Sequence, residues 1–290
     1  MEIGIVTKNK DERLNRSIGG DIGIFFFLAL FGAFSGLPLL FAIISAFKPL
    51  DELFLFPPRF FVKRPTLENI TQLFQLASNL WVPFSRYLFN TIFVTVVGTI
   101  GHVVIASLAA YPLSKHNFPG KKLLNKTIIL ALLFSFNITS IPQFVIMANL
   151  KIINSYLALI LPSFQMALGL FLMTSFMQQI PVERLESARI DGAGEYRIFW
   201  RVVMPSVKPA WLTLIIFSFQ SLWGQTGGTF IFDESLKMIP TALQQIVSAG
   251  LARAGVGSAA LLLMMIPPIV LFILVQNSVI DTMTHSGIKG

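Results

Sequence analysis

The stretch "ERLESARIDGAGEYRIFWRVVMPSVKP", residues 183–209, carries nine charged side chains in a chain that is 54% hydrophobic and only 12% charged. They are Glu183, Arg184, Glu186, Arg189, Asp191, Glu195, Arg197, Arg201 and Lys208. On either side lie uncharged runs far longer than a water-soluble core requires. The stretch therefore reads as a segment outside an apolar phase, and the runs that flank it as segments inside one.

Working outward, a mean hydropathy of +0.72 and 28 Phe in 290 residues indicate a membrane protein. A hydrocarbon layer about 30 Å thick takes roughly 20 apolar residues at helical rise. Six charge-free runs meet that length. Trimmed at their polar ends, they predict transmembrane helices at about 22–47, 87–112, 127–150, 155–180, 209–230 and 256–280. The fold class expected is an all-α integral membrane protein, one domain over residues 1–290, with the charged loop 181–208 between helices four and five. The first run is too long for a removable signal peptide and follows a polar segment, so it is kept as a helix.

The net charge of +8 follows the membrane rather than a nucleic acid, because the basic residues flank apolar spans instead of forming one aromatic-laced patch. Fourteen of the 22 Lys and Arg fall on the side that holds both termini, residues 115–126 and the charged loop. The positive-inside rule makes that side cytoplasmic. On the other side, "LFLFPPRFF" (53–61) and a helix capped by Thr66 before "LENITQLFQLA" form a small external layer. There too, "MIPTALQQIVSAGL" (238–251) is too short to cross and too apolar for an ordinary loop, so it is expected as an interfacial or re-entrant helix.

Several chemistries find no place in this chain. The spans contain no Asp, Glu, Lys or Arg, the groups that ion pumps and proton relays keep inside the bilayer despite their cost. His102 is the only ionisable residue in a span, and a neutral imidazole bonded between helices suits it best. His116 and His285 have no partner at metal-ligand spacing, so no metal site is expected. There is no cysteine, and "NFPGKKLL" (117–124) lacks the first glycine and final Ser/Thr of a phosphate-binding loop. No catalytic residues and no cofactor of its own are expected.

Uncharged polar residues in the spans carry more information. Asn137, Ser140 and Gln143 recur at helical spacing, Gln165 sits inside the fourth run, and Ser218, Gln220, Ser221 and Gln225 lie in or beside the fifth. Each can bond another helix or face a hydroxylated solute. We take Asn137, Ser140, Gln165, Ser218 and Gln220 as candidates for a neutral pathway. The Gly32–Gly36 pair at GxxxG spacing permits close helix approach without assigning a function.

The charged loop itself alternates polar positions with Leu185, Ala188, Ile190, Ala193, Tyr196, Phe199, Trp200 and Val203, between Pro181 and Pro205. That predicts two short amphipathic helices, with Asp191-Gly192 as a turn where glycine takes positive φ. Ser187, Ala188, Gly192 and Ala193 leave a shallow face that another protein can approach. The pattern also suits a helix lying among headgroups. Arg189, Arg197 and Arg201 are expected only to keep the loop on the cytoplasmic side.

Here the sequence resembles the permease subunits of bacterial ABC importers. Glu186-Ser187-Ala188, then three residues, Gly192, then nine, and Val202-Val203-Met204-Pro205 are similar to their "EAA" loop, with Ser at the first Ala. The fuller sugar-permease form is met by Glu186, Ala188, Asp191, Gly192, Ala193, Phe199 and Pro205. "PTLENI" (65–70), "AAYPLSKHNFPGKKLL" (109–124), "INSYLALILP" (153–162), "IPTAL" (239–243) and "GIKG" (287–290) resemble the shorter, maltose-permease G-like subunit of carbohydrate importers. Gly224-Gln225-Thr226-Gly227-Gly228 departs from that pattern after Trp223.

The resemblance implies a multi-pass subunit of the bacterial inner membrane that works with a second permease subunit, two cytoplasmic ATPase subunits holding ATP and Mg, and an extracytoplasmic solute-binding protein. It implies an oligosaccharide substrate, and "TGGTFIFDESLKMIPTALQQI" (226–246) is similar to permeases for plant or algal polysaccharide fragments, some bearing uronates. It gives Glu186, Ser187, Ala188, Asp191, Gly192, Ala193 and Pro205 as ATPase-coupling residues. The competing readings are a stand-alone channel or secondary carrier, and a membrane scaffold without ATPase coupling.

Overall fold

The computed structural model describes residues 18–134, 136–248 and 250–286, and the side chains of these except 18, 136, 137 and 277–286. Among the described residues every regular element is helical and none is a strand. The helices that carry the argument are α1 (Ile18–Ala46), α2 (Glu68–Ser78), α3 (Phe84–Lys115), α4 (Lys121–Ala131), α5 (Phe136–Asn149), α6 (Tyr156–Ile160) and α7 (Ala167–Gln178). They continue with α8 (Val182–Ile190), α9 (Glu195–Ser206), α10 (Lys208–Trp223), α11 (Ile239–Val247) and α12 (Ala254–Ser286).

Three helices, Gly19–Ala46, Phe84–Lys115 and Gly250–Gln276, are long and apolar enough to cross a membrane, and two bent pairs bring the number to five. One pair is the fourth predicted span. It breaks into α6, a 3-10 turn over Leu161–Gln165 and α7, with a 42° bend. Pro162 enters that turn without an N–H to donate, and Met166 leaves it in extended conformation. The second pair joins α9 to α10 at 78°.

The third predicted span, 127–150, is not one helix. It divides into α4 and α5, and α4 starts six residues early, at Lys121, behind Gly120 at φ +90°. No proline or glycine marks the break. The fifth helix stops at Trp223 rather than 230, because the Gly-rich segment after it turns through Gly227 at φ +81° and Gly228 at φ +48°.

α3 is the axis of the molecule. Val103, Ala106, Ala110 and Tyr111 join one buried cluster with α7, α8, α9 and α10; Val94 joins a second; Tyr87 joins a third with α2, α11 and α12. Two of its buried hydroxyls bond within the helix, Thr91 Oγ1 donating to Tyr87 O at 2.8 Å and Ser107 Oγ to Val103 O at 2.5 Å, whereas the buried hydroxyls of Thr95 and Thr99 find no partner among the described residues. Close approach to α3 depends on missing side chains. A Cβ on Gly98 would strike Leu222, one on Gly101 the Phe164 ring, and one on Gly169 the His102 imidazole.

α1 behaves differently. Phe25, Phe26, Phe27, Phe31 and Phe34 are exposed along it. Among the described residues, nothing beyond the helix's own backbone lies within 4 Å of a Cβ placed on Gly32 or Gly36, so the GxxxG pair supports no close contact there. In the loop region, Thr66 Oγ1 accepts from Glu68 N at 3.1 Å, which caps α2 as expected, one residue outside the Leu67 boundary. α11 is the short amphipathic helix predicted at 238–251, burying Ile239, Ala242, Leu243 and Ile246.

Candidate functional site

The charged stretch folds as two helices with a turn at Asp191-Gly192, as the pattern predicts. α8 begins after Pro181, carries Glu183 in its first turn and Arg189 in its last, and so complements its own dipole. At its end Gly192 N donates to Arg189 O and Ala193 N to Ala188 O, both at 3.0 Å. These paired bonds form a Schellman closure, with Gly192 at φ +79° in the left-handed region. A Cβ there would meet nothing within 4 Å, so backbone conformation alone demands the glycine.

The residues of the charged loop, among them those expected to couple, divide by depth. Leu185, Ile198, Phe199, Val203 and Val207 are buried against Tyr111, Met173 and Met177, and Ala188 and Ala193 pack on the same cluster. Glu186, Ser187, Asp191, Gly192 and Pro205 are exposed. Ala188 and Ala193 thus anchor the loop to the buried cluster, and the exposed Glu186 stands directly above that anchorage. The Ser187 hydroxyl is spent on Glu183 O at 2.8 Å. A π turn over Phe199–Val203 interrupts α9, whose last turn holds Pro205.

Arg189 does more than bias charge. Its Nε donates to Glu195 Oε1 at 2.9 Å, and Tyr111 Oη of α3 donates to Glu195 Oε2 at 2.6 Å. The Tyr111 hydroxyl and then the Arg189 guanidinium hold the Glu195 carboxyl below its ordinary value. Lys115 Nζ donates to Ile180 O at 2.5 Å and Gln178 O at 3.3 Å, closing the carbonyl end of α7. Sequence reasoning missed this clamp because its partners are 84 residues apart. The one local signal was a tyrosine and a lysine at the end of an apolar run.

The pathway candidates do not converge on one place. Ser140 borders a cavity of about 670 Å³ with Ser163, Ser221, Gln225, Thr226 and Thr229. Gln165, freed by the break between α6 and α7, borders another of about 310 Å³ with Thr139 and Gln143. The Gln143 amide is buried and finds no partner among the described residues. No charged side chain lines either cavity. Gln220 is exposed. Ser218 is fully buried, its Oγ 2.6 Å from His102 Nδ1, so it serves the packing of α3 on α10. The side chain of Asn137 lies outside the described residues, as does "GIKG".

Two basic residues expected on the external side are engaged as well. Lys237 Nζ donates to Glu234 Oε2 at 2.6 Å, and Arg253 Nη1 to Ile246 O at 2.6 Å at the end of α11.

Apolar helices exposed on their outer faces, with one charged loop seated on their buried core, define an all-helical membrane component. Residues 22–285 match the family described as binding-protein-dependent transport system inner membrane component, and the chain belongs to that family. It is 26% identical over 274 residues to the arabinooligosaccharides transport system permease protein AraQ of Halalkalibacterium halodurans, covering 92% of this chain and 94% of that one. It is 34% identical over 208 residues to protein LplC of Bacillus subtilis, covering 70% and 66%. Against the sn-glycerol-3-phosphate transport system permease protein UgpE of Yersinia enterocolitica it is 30% identical over 217 residues, covering 71% and 77%. A chain of a solved bacterial ABC transporter involved in import of the acidic polysaccharide alginate shares the fold, with TM-score 0.71, 22% identity, and coverage of 90% of this chain and 98% of that chain.

Proposed function

We propose that the chain is one of two permease subunits of an ATP-driven importer that carries oligosaccharides across the bacterial cytoplasmic membrane. Its partners are a second permease, two cytoplasmic ATPase subunits with their ATP and Mg, and an external solute-binding protein. In this reading the whole chain forms one transmembrane domain of six spans: α1, α3, α4 with α5, α6 with α7, α10 and α12. Both termini and the loop 181–208 face the cytoplasm.

The observation that carries the proposal is the seating of α8. A rigid, small-residue knob presents Glu186 to solvent and closes on a left-handed glycine. A surface of that kind keeps contact with a moving ATPase, so that differential binding to two ATPase states shifts the permease between inward and outward forms. Glu186 makes a charge-assisted contact with a basic residue of the ATPase. Ser187 and Asp191 border that contact, Gly192 and Pro205 shape it, and Ala188 and Ala193 support it from below.

The substrate class rests on two cavities that carry hydroxyl and amide groups and, among the described residues, no charged lining, one bordered by Ser140 and the other by Gln165; Gln220, exposed outside both, is assigned to the solute path by this reading alone. Such groups both donate to and accept from sugar hydroxyls, which neutral and uronate-bearing oligosaccharides share. One named relative, the arabinooligosaccharide permease, supports that class, while another is named for sn-glycerol-3-phosphate.

The test is uptake by the assembled complex with Glu186→Ala or Gly192→Asp in this chain. Both variants should insert into the membrane normally, lose uptake, and hold the ATPase more weakly. Normal uptake by both would remove the coupling assignment.

A further inference from the structure

Between the docking loop and the external loop that follows α10, the chain makes three polar cross-links, each joining α3 to α10 or to a segment flanking it. At one end Tyr111 Oη donates to Glu195 Oε2 at 2.6 Å. In the middle His102 Nδ1 lies 2.6 Å from Ser218 Oγ. At the other end Tyr87 Oη donates to Glu234 Oε1 at 2.7 Å.

The outer end is tied further. Asn90 Nδ2 donates to Ser235 O and Lys237 O, both at 2.8 Å, and Ile239 N donates to Thr91 Oγ1 at 2.8 Å. Lys237 and Gln245 also hold Glu234, at 2.6 and 3.0 Å. Burial pushes the Glu234 carboxyl up, but the Lys237 ammonium, the Tyr87 hydroxyl and the Gln245 amide more than offset it.

Tyr87 and Tyr111 are separated by about 36 Å at helical rise, slightly more than a hydrocarbon layer. The two glutamates they hold lie before and after α10. By chain connectivity alone, movement of α8 reaches α10 only through the 78° bend after Ser206. That bend is braced by Trp211 Nε1 donating to Met204 O at 3.1 Å and by the buried Val203 and Val207. The Tyr111–Glu195 bond gives the docking loop a second connection, directly to α3, which bypasses the bend.

We infer that α3 and α10 form a rigid strut, clamped by Glu195 at the docking end and Glu234 at the external end, that moves the loop 228–238 in step with α8. Glu195 and Glu234 are positioning residues. Neither needs to touch ATPase or solute. The inference rests on the proposed docking role of α8.

The absence of cysteine in this chain makes the test direct. In the assembled importer with cysteine-free partner subunits, spin labels at Ile190→Cys and Phe232→Cys report the distance between the two ends; both native side chains are exposed, by 86% and 64%. That distance should stay constant with and without ATP in the otherwise native chain. With Glu195→Gln or Tyr111→Phe added, it should shift or broaden by about one helical turn, ~5 Å.

Transport per ATP should fall at least fivefold in each clamp variant while ATPase association stays within twofold. The double variant should be no worse than the worse single one, since both remove the same bond. Tyr111→Phe keeps the buried ring, and Glu195→Asp should recover part of the coupling. A label distance that changes with ATP in the unmodified strut overturns the inference, as does unchanged coupling in both clamp variants. If Glu186→Ala also transports normally, the docking reading fails instead; if Glu186→Ala fails while the clamp variants work, only the strut falls.

Discussion

At the scale of single residues, glycines separate what the sequence advertises from what the structure uses. The Gly32–Gly36 pair is the recognisable spacing, yet it packs against no other element among the described residues. Alanine at either position should leave the stability of the chain unchanged or raise it by up to ~1 kcal/mol through helix propensity. Gly169 carries no motif, but a Cβ there would strike the buried His102 ring and crowd Leu214. Gly169→Val should therefore lower thermal stability in detergent by about 1–3 kcal/mol, the usual cost of overpacking. At Gly192 the space is open and the backbone decides. Gly192→Ala should cost about 1–2 kcal/mol, whereas Gly192→Asn, which tolerates the left-handed region, should cost less. Thermal unfolding of the purified variants checks all of these. The Gly192 turn was legible because Asp-Gly between two amphipathic runs has a local cause; the need for Gly169 was not, because it comes from a ring 67 positions earlier in the chain.

At the scale of elements, the docking loop is held by a carboxylate whose folded-state pKa is depressed. Such a group contributes stability that is fully present above its unfolded value and lost as pH falls through the folded one. For Glu195, with an ordinary value of 4.5, the clamp should be intact throughout the neutral range and open only in acid below that value. Limited proteolysis around Asp191-Gly192 should show the same pattern between pH 6 and 8, with faster cutting below about pH 4.5. In Glu195→Gln the acid-induced increase should be reduced. Uniform susceptibility of both chains across that range would count against the clamp. Sequence periodicity placed the amphipathic helices correctly but treated Arg189 as a topology signal, because nothing local assigns it to Glu195. It also drew 127–150 as one helix, since an uninterrupted apolar run carries no mark of a break that packing imposes.

For the whole molecule, apolar length and charge asymmetry predicted an all-helical membrane component, and the family match over residues 22–285 agrees. Individual spans were less legible. Pro162 and the glycines after Trp223 cut two of them short, and the polar residues at those breaks line separate cavities instead of one channel through this chain. In the proposed importer, a second permease supplies the other wall of the pathway. Purified alone in liposomes, the chain should transport no oligosaccharide, while the assembled importer should show ATP hydrolysis stimulated by loaded binding protein. Sugar flux through the isolated chain would restore the stand-alone carrier reading.

The central claim is that α8 meets the ATPase on the cytoplasmic side, and site-directed cross-linking tests it most directly. The native chain offers no cysteine, so a single one at Ser187, on the exposed face of α8, reports only its own surroundings. Trp81, which is 100% exposed in the predicted external layer, is the control. In membranes carrying the full complex, a thiol-reactive cross-linker should join Ser187→Cys, and not Trp81→Cys, to the ATPase subunit, with the adduct changing on ATP addition. Labelling of Ser187→Cys by a membrane-impermeant maleimide from outside, with no ATPase adduct, would contradict the account.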